Sequence, residues 1–461
     1  MSVILNTSEL FRYQGSGIKS FTQSLLRSTH DLTPFEFLLE SKRKERDSIL
    51  AHTNLFHVHR GSAGRAEVFK REIKQSFSHY IPGRSEYKAP IISRLDPLYS
   101  LALSRIPVDA KEDKTSSFSF RSSQHLYSNS QVDFVRTGQC SEVSFPDLTS
   151  RQANQFVFHN PLPFPLVAAD IPMIVTVHDL IPLSHSELCL DDPGRFYELL
   201  SIQTEKAAAV HAISHTTGDL LIKVFGNRVR SKLKVVQQAL VMPACSEEQE
   251  EELVKAKLHL FDAFHRNAEG HSLLQLGTLE PKKNHITTLE VHRLLRRKFP
   301  GLKLLIIGKA GWLCEDLLDT LSSRSGEGVE WLRSAPRSSV RWHLNNSLAL
   351  MFPSLVEGWG LPPIEAMALG TPAVCSSIPA CQEACGDGAA GMADPHDVAA
   401  FAELLTELLT DRERYATAVR AGLRQARLYS EARFRNELRD LYSSVLSGGE
   451  LTKSPPVVHD V

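Results

Sequence analysis

The chain has 461 residues, 42% of them hydrophobic and 23% charged, with a formal net charge of -1. That length exceeds what one hydrophobic core supports, so two domains are expected, and near-neutrality argues against a nucleic-acid partner. No window approaches the roughly 20 continuous apolar residues of a membrane span, and Met1 to Phe11 lacks the basic-then-apolar order of a secretion signal.

In chain order, Gly15-Ser-Gly17-Ile18 precedes a helix-like run from Phe21 to Leu26. The basic stretches Lys42, Arg43, Lys44, Arg46 and Lys70, Arg71, Lys74 read as solvated helix faces, with peripheral contact to a membrane as the alternative. Residues 52–150, rich in Ser, Arg and aromatic side chains, show no legible period. From Gln155 onward short apolar runs alternate with amphipathic segments. Strands are expected at Gln155–Phe158, Met173–His178, Val210–Ile213 and Leu233–Val236, with a helix at Arg195–Ala207. An acidic stretch, Glu247 to Phe264, then reads as an interdomain connection. A second series places strands at Ser272–Gly277, Lys303–Gly308, Ser347–Phe352 and Pro372–Ser376. Its helices include Ile364–Leu369 and the apolar stripe of Asp397–Thr410. The expected division is a domain over 1–242, a connection over 243–270, a second domain over 271–428, a helix over 429–447 returning to the first domain, and a disordered tail over 448–461. Strands alternating with helices imply parallel sheets covered on both faces, with ligands at the carboxyl ends of the strands.

Two segments carry the chemistry. In the run from Phe352 to Met367 a strand end leads into a turn with Gly358, Trp359 and Gly360, then a helix opened by Leu361 and Pro362-Pro363. Turn amides and the positive end of that helix suit a diphosphate. Glu357 before the turn and Glu365 after it supply acceptor-only carboxylates for sugar and ribose hydroxyls. The bland reading is a strand-turn-helix with one solvated and one dipole-stabilising glutamate; the glycine turn between them favours the functional one. The other segment is Leu276-Gly277-Thr278-Leu-Glu-Pro-Lys282-Lys283-Asn284, where Gly277 permits close approach, either lysine reaches phosphate and Asn284 fits an N-cap. Seven scattered cysteines lack CxxC spacing and a histidine at ligand distance, so free thiols in a reducing cytosol are expected and no metal site.

Gly277 to Asn284, then Ile306-Ile-Gly-Lys-Ala-Gly-Trp312, then Phe352 to Met367 and Gly370-Thr-Pro-Ala-Val resemble, in order and spacing, the family 4 retaining glycosyltransferases. Gly15-Ser-Gly17, Val175-Thr-Val-His178-Asp179-Leu-Ile-Pro182 and Ala212-Ile-Ser214-His-Thr-Thr217 are similar to the family's N-terminal motifs, the second most familiar in mannosyltransferase-like members. The resemblance covers about 1–28 and 155–446. It implies a GT-B fold: α/β, with two doubly wound Rossmann-like domains facing across a cleft. It implies Lys283 at the donor diphosphate with Gly277, Thr278 and Lys282 also donor-binding, Gly17 in a loop facing the donor phosphates or the acceptor, Glu357 at the sugar and Glu365 at the ribose. Gly358, Trp359, Gly360 and Leu361 form the donor turn, and His178, with Glu357, serves the reacting centre. Thr278 stands where many members have arginine, a role Lys282 would take over. Trp359 replaces the usual Phe or Tyr, and Gln382-Glu383 stands where Pro-Glu is common.

The implied reaction moves a hexosyl group, mannose from GDP-mannose, to a glycan or lipid-linked oligosaccharide in polysaccharide biosynthesis. Configuration is retained, and neither metal nor cofactor is needed beyond the nucleotide-sugar co-substrate. Such an enzyme would be cytoplasmic, or peripheral at the inner face of the plasma membrane. The alternatives are an inactive glycan- or nucleotide-sugar-binding regulator, which would be expected to have lost Lys283, a glutamate or His178, and a nicotinamide oxidoreductase. The latter needs a third glycine that Gly15-Ser-Gly17 lacks.

Overall fold

The computed structural model describes residues 2–6, 35–40, 86–88, 119–123, 126–148, 153–240 and 244–448, together with Phe21 and Leu25. Gly17, the two basic stretches and the tail after Gly448 lie outside them. The chain divides into two compact units, one from Met1–Ala239 with Ala432–Val458, the other from Leu240–Glu431.

The first unit is built on strands β1 (Ser2–Asn6), β2 (Phe35–Glu40), β3 (Glu86–Lys88) and β4 (Ser119–Ser123), then helix α1 (Leu126–Thr137). They are followed by β5 (Ser141–Ser144), β6 (Phe156–Asn160), β7 (Leu166–Ala168), β8 (Met173–Val177), α2 (Pro193–Lys206), β9 (Ala209–Ala212), α3 (His215–Phe225) and β10 (Leu233–Val235). Seven strands pair in the order β10-β9-β8-β6-β1-β2-β4, all parallel, and β3-β5-β7 form a small parallel sheet beside them. Val3, Ile4, Val157, Phe158, Ile174, Val175 and Val210 are fully buried, which accounts for the continuous apolar runs: a parallel strand has no solvent face.

The second unit opens with α4 (Glu247–Arg266), followed by β11 (Ser272–Leu276), α5 (His285–Leu295), β12 (Lys303–Ile307), α6 (Glu315–Ser323), β13 (Val329–Leu332), α7 (Arg337–Asn346) and β14 (Ala349–Phe352). It continues with α8 (Leu361–Ala368), β15 (Ala373–Ser376), α9 (Pro379–Cys385), β16 (Gly391–Ala393), α10 (Val398–Thr410) and α11 (Arg412–Arg427). Its sheet runs β13-β12-β11-β14-β15-β16, every pair parallel. Strand order reverses between β11 and β14, so the loops after those two strands open the crevice where doubly wound sheets bind ligands.

One expectation requires correction. The acidic stretch Glu247 to Phe264, expected to lie in a connection over 243–270, belongs instead to a core helix of the second unit. In α4, Val254, Lys257, Phe261 and Phe264 form a buried stripe, and the three apolar members join the core of Leu273, Leu304, Leu405 and Tyr415. The Lys257 ammonium, inside that stripe, donates to the Asn345 carbonyl and to Thr371 Oγ1. The last helix, α12 (Glu431–Ser447), packs with the first unit, where Phe434 meets Phe21 at 6.0 Å. Among the described residues no helix is long and apolar enough to cross a membrane.

Candidate active site

The loop after β11 is shaped by two close backbone approaches. Gly277 sits at φ +152°, and a Cβ on Gly308 would lie 1.8 Å from the Gly277 carbonyl oxygen, so only glycine fits at 308. Leu279 then pairs with the loop after β12, its N–H donating to Lys309 O at 2.9 Å and its carbonyl accepting from Gly311 N at 3.0 Å. Pro281–Lys283 make one 3-10 turn that ends at Asn284 in the left-handed region (φ 52°, ψ 47°). Asn284 stands at the N-cap position of α5 but does not cap it with its side chain. Its amide instead donates to Pro353 O at 3.0 Å and Pro395 O at 2.7 Å, tying three loops together.

The loop after β14 meets this one directly, Leu355 N donating to Lys282 O at 2.8 Å. The juxtaposition brings Lys283 Nζ to 2.5 Å from Glu357 Oε1, with the two side chains 15% and 12% exposed. The Lys283 ammonium also lies 5.3 Å from the Phe352 ring centroid. Beside the pair, Lys282 Nζ is 3.4 Å from the buried Glu280. Burial raises the Glu280 carboxyl, opposed by Lys282 and Lys283 and reinforced by Glu357. Two ammonium groups and two carboxylates thus share one largely enclosed site. Lys282, like Lys283, faces a carboxylate in this site.

Glycines then carry the chain into α8. Gly358 and Gly360 are buried, and a Cβ on Gly360 would press on Ala384 Cβ at 3.2 Å. Leu361 begins the helix, with prolines in its first turn and no side-chain cap. Pro362 and Pro363 carry no N–H and Ile364 N donates to Gly360 O at 3.4 Å, so within the first turn it is the Leu361 N–H that lacks an intrahelical acceptor. Glu365, one turn in, has a carboxyl pushed up to about 7 by burial, with Arg337 Nη2 at 3.9 Å opposing the rise. Trp359 is 5% exposed and packs edge-on against Tyr429 at 5.2 Å, so its ring props the turn from within. Thr278 packs beside Gly311, where its methyl would be 2.7 Å from an added Cβ.

In the first unit, His178 follows β8 and is half-buried, its Nε2 2.8 Å from Pro161 O and its ring edge-on to Phe21 at 4.9 Å. A carbonyl only accepts, so Nε2 carries the proton in the neutral ring. Asp179 accepts from Ile181 N at 3.1 Å, and Thr217 Oγ1 donates to the His178 carbonyl at 3.1 Å. The Ser214-x-x-Thr217 signature is the cap of α3, Ser214 Oγ accepting from Thr217 N at 3.0 Å. Beneath His178 runs a fully buried chain: Tyr442, His159, Thr176, His211 and the Val236 carbonyl, at 2.8, 2.8, 3.0 and 2.9 Å. The terminal carbonyl fixes the direction. His211 donates to it, so Thr176 donates to His211, His159 to Thr176 and Tyr442 to His159. Burial keeps both imidazoles neutral, His211 with its pKa lowered to about 4 and His159 well below the usual value.

Residues 260–425 match the family model of the group 1 glycosyl transferases. The match falls within the second unit. The chain is similar to the O-antigen chain mannosyltransferase B of Escherichia coli, 28% identical over 289 residues that cover 61% of this chain and 72% of the relative. It is also similar to the serotype-specific mannosyltransferase WbdA of Escherichia coli, 28% identical over 58% of this chain but only 33% of that enzyme, so the chain spans about a third of WbdA. A D-inositol 3-phosphate glycosyltransferase of Mycolicibacterium smegmatis is 31% identical over 156 residues, 32% of this chain and 36% of the relative. Among solved structures, Anabaena HepE in complex with UDP and glucose superposes with a TM-score of 0.58 at 13% identity, covering 96% of this chain and 100% of HepE. The sucrose-phosphate synthase of Thermosynechococcus elongatus gives 0.56 at 14% identity, covering 97% and 100%. These likenesses place the chain in the GT-B fold.

Sequence reading located Gly277, Thr278, Lys282, Lys283, Glu357, Gly358, Trp359, Gly360, Leu361 and Glu365, and the structure gathers them on the two loops at the β11/β14 crevice and the start of α8. It missed Glu280 and Arg337. Glu280 had a signal, a carboxylate two and three residues ahead of paired lysines; Arg337 is brought to Glu365 only by the fold.

Proposed function

We propose that the protein transfers a hexosyl group, mannose from GDP-mannose, to a hydroxyl of a glycan or lipid-linked oligosaccharide, with retention at the anomeric carbon. The observation that carries the reading is the Lys283–Glu357 pair at the β11/β14 crevice, with Glu357 immediately ahead of the glycine turn that leads into α8. Mannosyltransferase relatives support the choice of sugar, and the two glutamates support the choice of a sugar nucleotide over a simple anion.

In this mechanism Lys283 exchanges the Glu357 carboxylate for the donor diphosphate, and backbone amides of the Gly358–Leu361 turn take the remaining phosphate oxygens. Charge that develops on the leaving group is met by donors already in place. Glu357, released, accepts hydrogen bonds from sugar hydroxyls, and Glu365 accepts from the ribose. His178 hydrogen-bonds the sugar at the reacting centre. A phosphate oxygen of the departing nucleotide takes the acceptor hydroxyl's proton as the new glycosidic bond forms on the same face. Lysine and amide donors do the neutralising, so turnover proceeds without a divalent cation.

The test is a donor panel of GDP-mannose, UDP-glucose, UDP-galactose and UDP-N-acetylglucosamine, scored for nucleotide release with and without EDTA. GDP release from GDP-mannose, unaffected by EDTA, is expected. Turnover confined to a UDP sugar would overturn the mannosyl assignment, and binding of donors without transfer to any glycan would make the protein a regulator.

A further inference from the structure

Directly under the phosphate loop, the second unit buries a group of polar atoms that have no partner. Gln275, 2% exposed near the end of β11, donates through Nε2 to the Lys283 carbonyl at 2.8 Å, while its Oε1 is unpaired. Side chains alternate along a strand, so Gln275 shares a face with Leu273, which packs in one core with Leu289 of α5. On that helix His285, Thr288, Leu289 and His292 are all buried, at the spacing of one helix stripe. His285 Nδ1, His285 Nε2 and Thr288 Oγ1 are unpaired as well.

Four orphaned atoms on facing sides of two packed elements are costly unless something joins them. Their chemistry is complementary. Burial, with the Lys283 charge adding to it, lowers the His285 imidazole to about 3, so the ring is neutral and offers one donor and one acceptor. Thr288 offers one donor and acceptor capacity, and Gln275 Oε1 accepts. A buried water, which makes about three hydrogen bonds, fits such a set. Gln275 is the link outward, because the same amide grips the Lys283 backbone.

We propose that this pocket is a hydrated junction in which His285, acting through Gln275, is a positioning residue for Lys283. The assignment rests on Lys283 as the phosphate ligand of the proposed transferase. With the junction intact the Gln275 amide is held from both ends, and the Lys283 carbonyl and side chain keep their place beside Glu357. Without the imidazole, Gln275 Oε1 loses its counterpart and the amide is free to turn away from the loop.

A double-mutant cycle on the full chain tests this, with inorganic pyrophosphate as the probe and calorimetry as the readout. His285→Phe keeps the ring shape without its nitrogens and should weaken pyrophosphate about tenfold, the scale of one charge-assisted hydrogen bond. In a Lys283→Ala background the same change should cost less than about twofold, because the route runs through Lys283. His285→Gln, which restores a donor, should recover most of the affinity. Gln275→Leu supplies a second cycle should His285→Phe fail to fold. Equal weakening in both backgrounds, or none in either, overturns the proposal. Sugar transfer by the wild type is scored separately: pyrophosphate binding without any transfer overturns the transferase reading and leaves the cycle interpretable, whereas no pyrophosphate binding overturns both.

Discussion

At Lys283 and Glu357 each charge is satisfied by the other in the absence of donor, and the pair is mostly shielded from water. Removing the carboxylate's charge therefore has opposite effects on the two halves of the reaction. Glu357→Gln should bind bare GDP more tightly, by up to about tenfold, since the phosphate no longer competes with a carboxylate. The same variant should lose at least about a hundredfold in transfer rate, the sugar having lost its acceptor. Calorimetry and initial rates read the two effects separately. Glu365 gives a pH signature. Its carboxyl is pushed up to about 7 by burial, and on the proposed reading it accepts from the ribose, so donor affinity should climb from pH 6 to pH 8 as the carboxylate forms. Glu365→Gln should flatten that climb; a climb of equal size in the variant would assign it elsewhere.

On the level of elements, the site is made by loops pressed together more closely than side chains permit. Gly308→Ala puts a methyl 1.8 Å from the Gly277 oxygen, so the loops after β11 and β12 must part. The expected loss is about 3 kcal/mol or more in urea unfolding, at the severe end of overpacking. Donor affinity should be lost with it, because Lys283 rides on the displaced loop. This is also where sequence and structure agree and diverge. The strands flanking the crevice were legible because each is a short apolar run ended by glycine or proline, as at Leu276-Gly277 and Phe352-Pro353. The helix α4 was not, because six of its first ten residues are acidic or basic and Lys257 interrupts the stripe formed by Val254, Phe261 and Phe264. The interruption makes sense only once Thr371 and the Asn345 carbonyl are seen to receive the ammonium. In the same way Asn284 looks like a cap in sequence, yet its bonds reach residues 69 and 111 positions away.

For the molecule as a whole, the buried histidine chain makes stability depend on pH. His211 and His159 have depressed pKa values in the folded state, so the unfolded chain binds more protons once the pH falls below about 6.5. Stability is then at its full value above that pH and is lost progressively toward pH 4. Thermal midpoints taken from pH 7 to pH 4.5 should fall. A His211→Gln variant, less stable at neutral pH, should show a shallower fall.

Tyr442, at the far end of that chain, belongs to α12, the last described helix, yet its hydroxyl bonds His159 of β6 within the first unit. The second unit is contiguous in sequence; the first is not. During synthesis, therefore, the second unit has all its parts before the first-emerging unit can bury Phe21, His159 and Phe434. The N-terminal unit must wait, unfinished, for some two hundred residues of its neighbour to leave the ribosome. A chain stopped at residue 430 should keep the protease resistance of the second unit and lose that of the first.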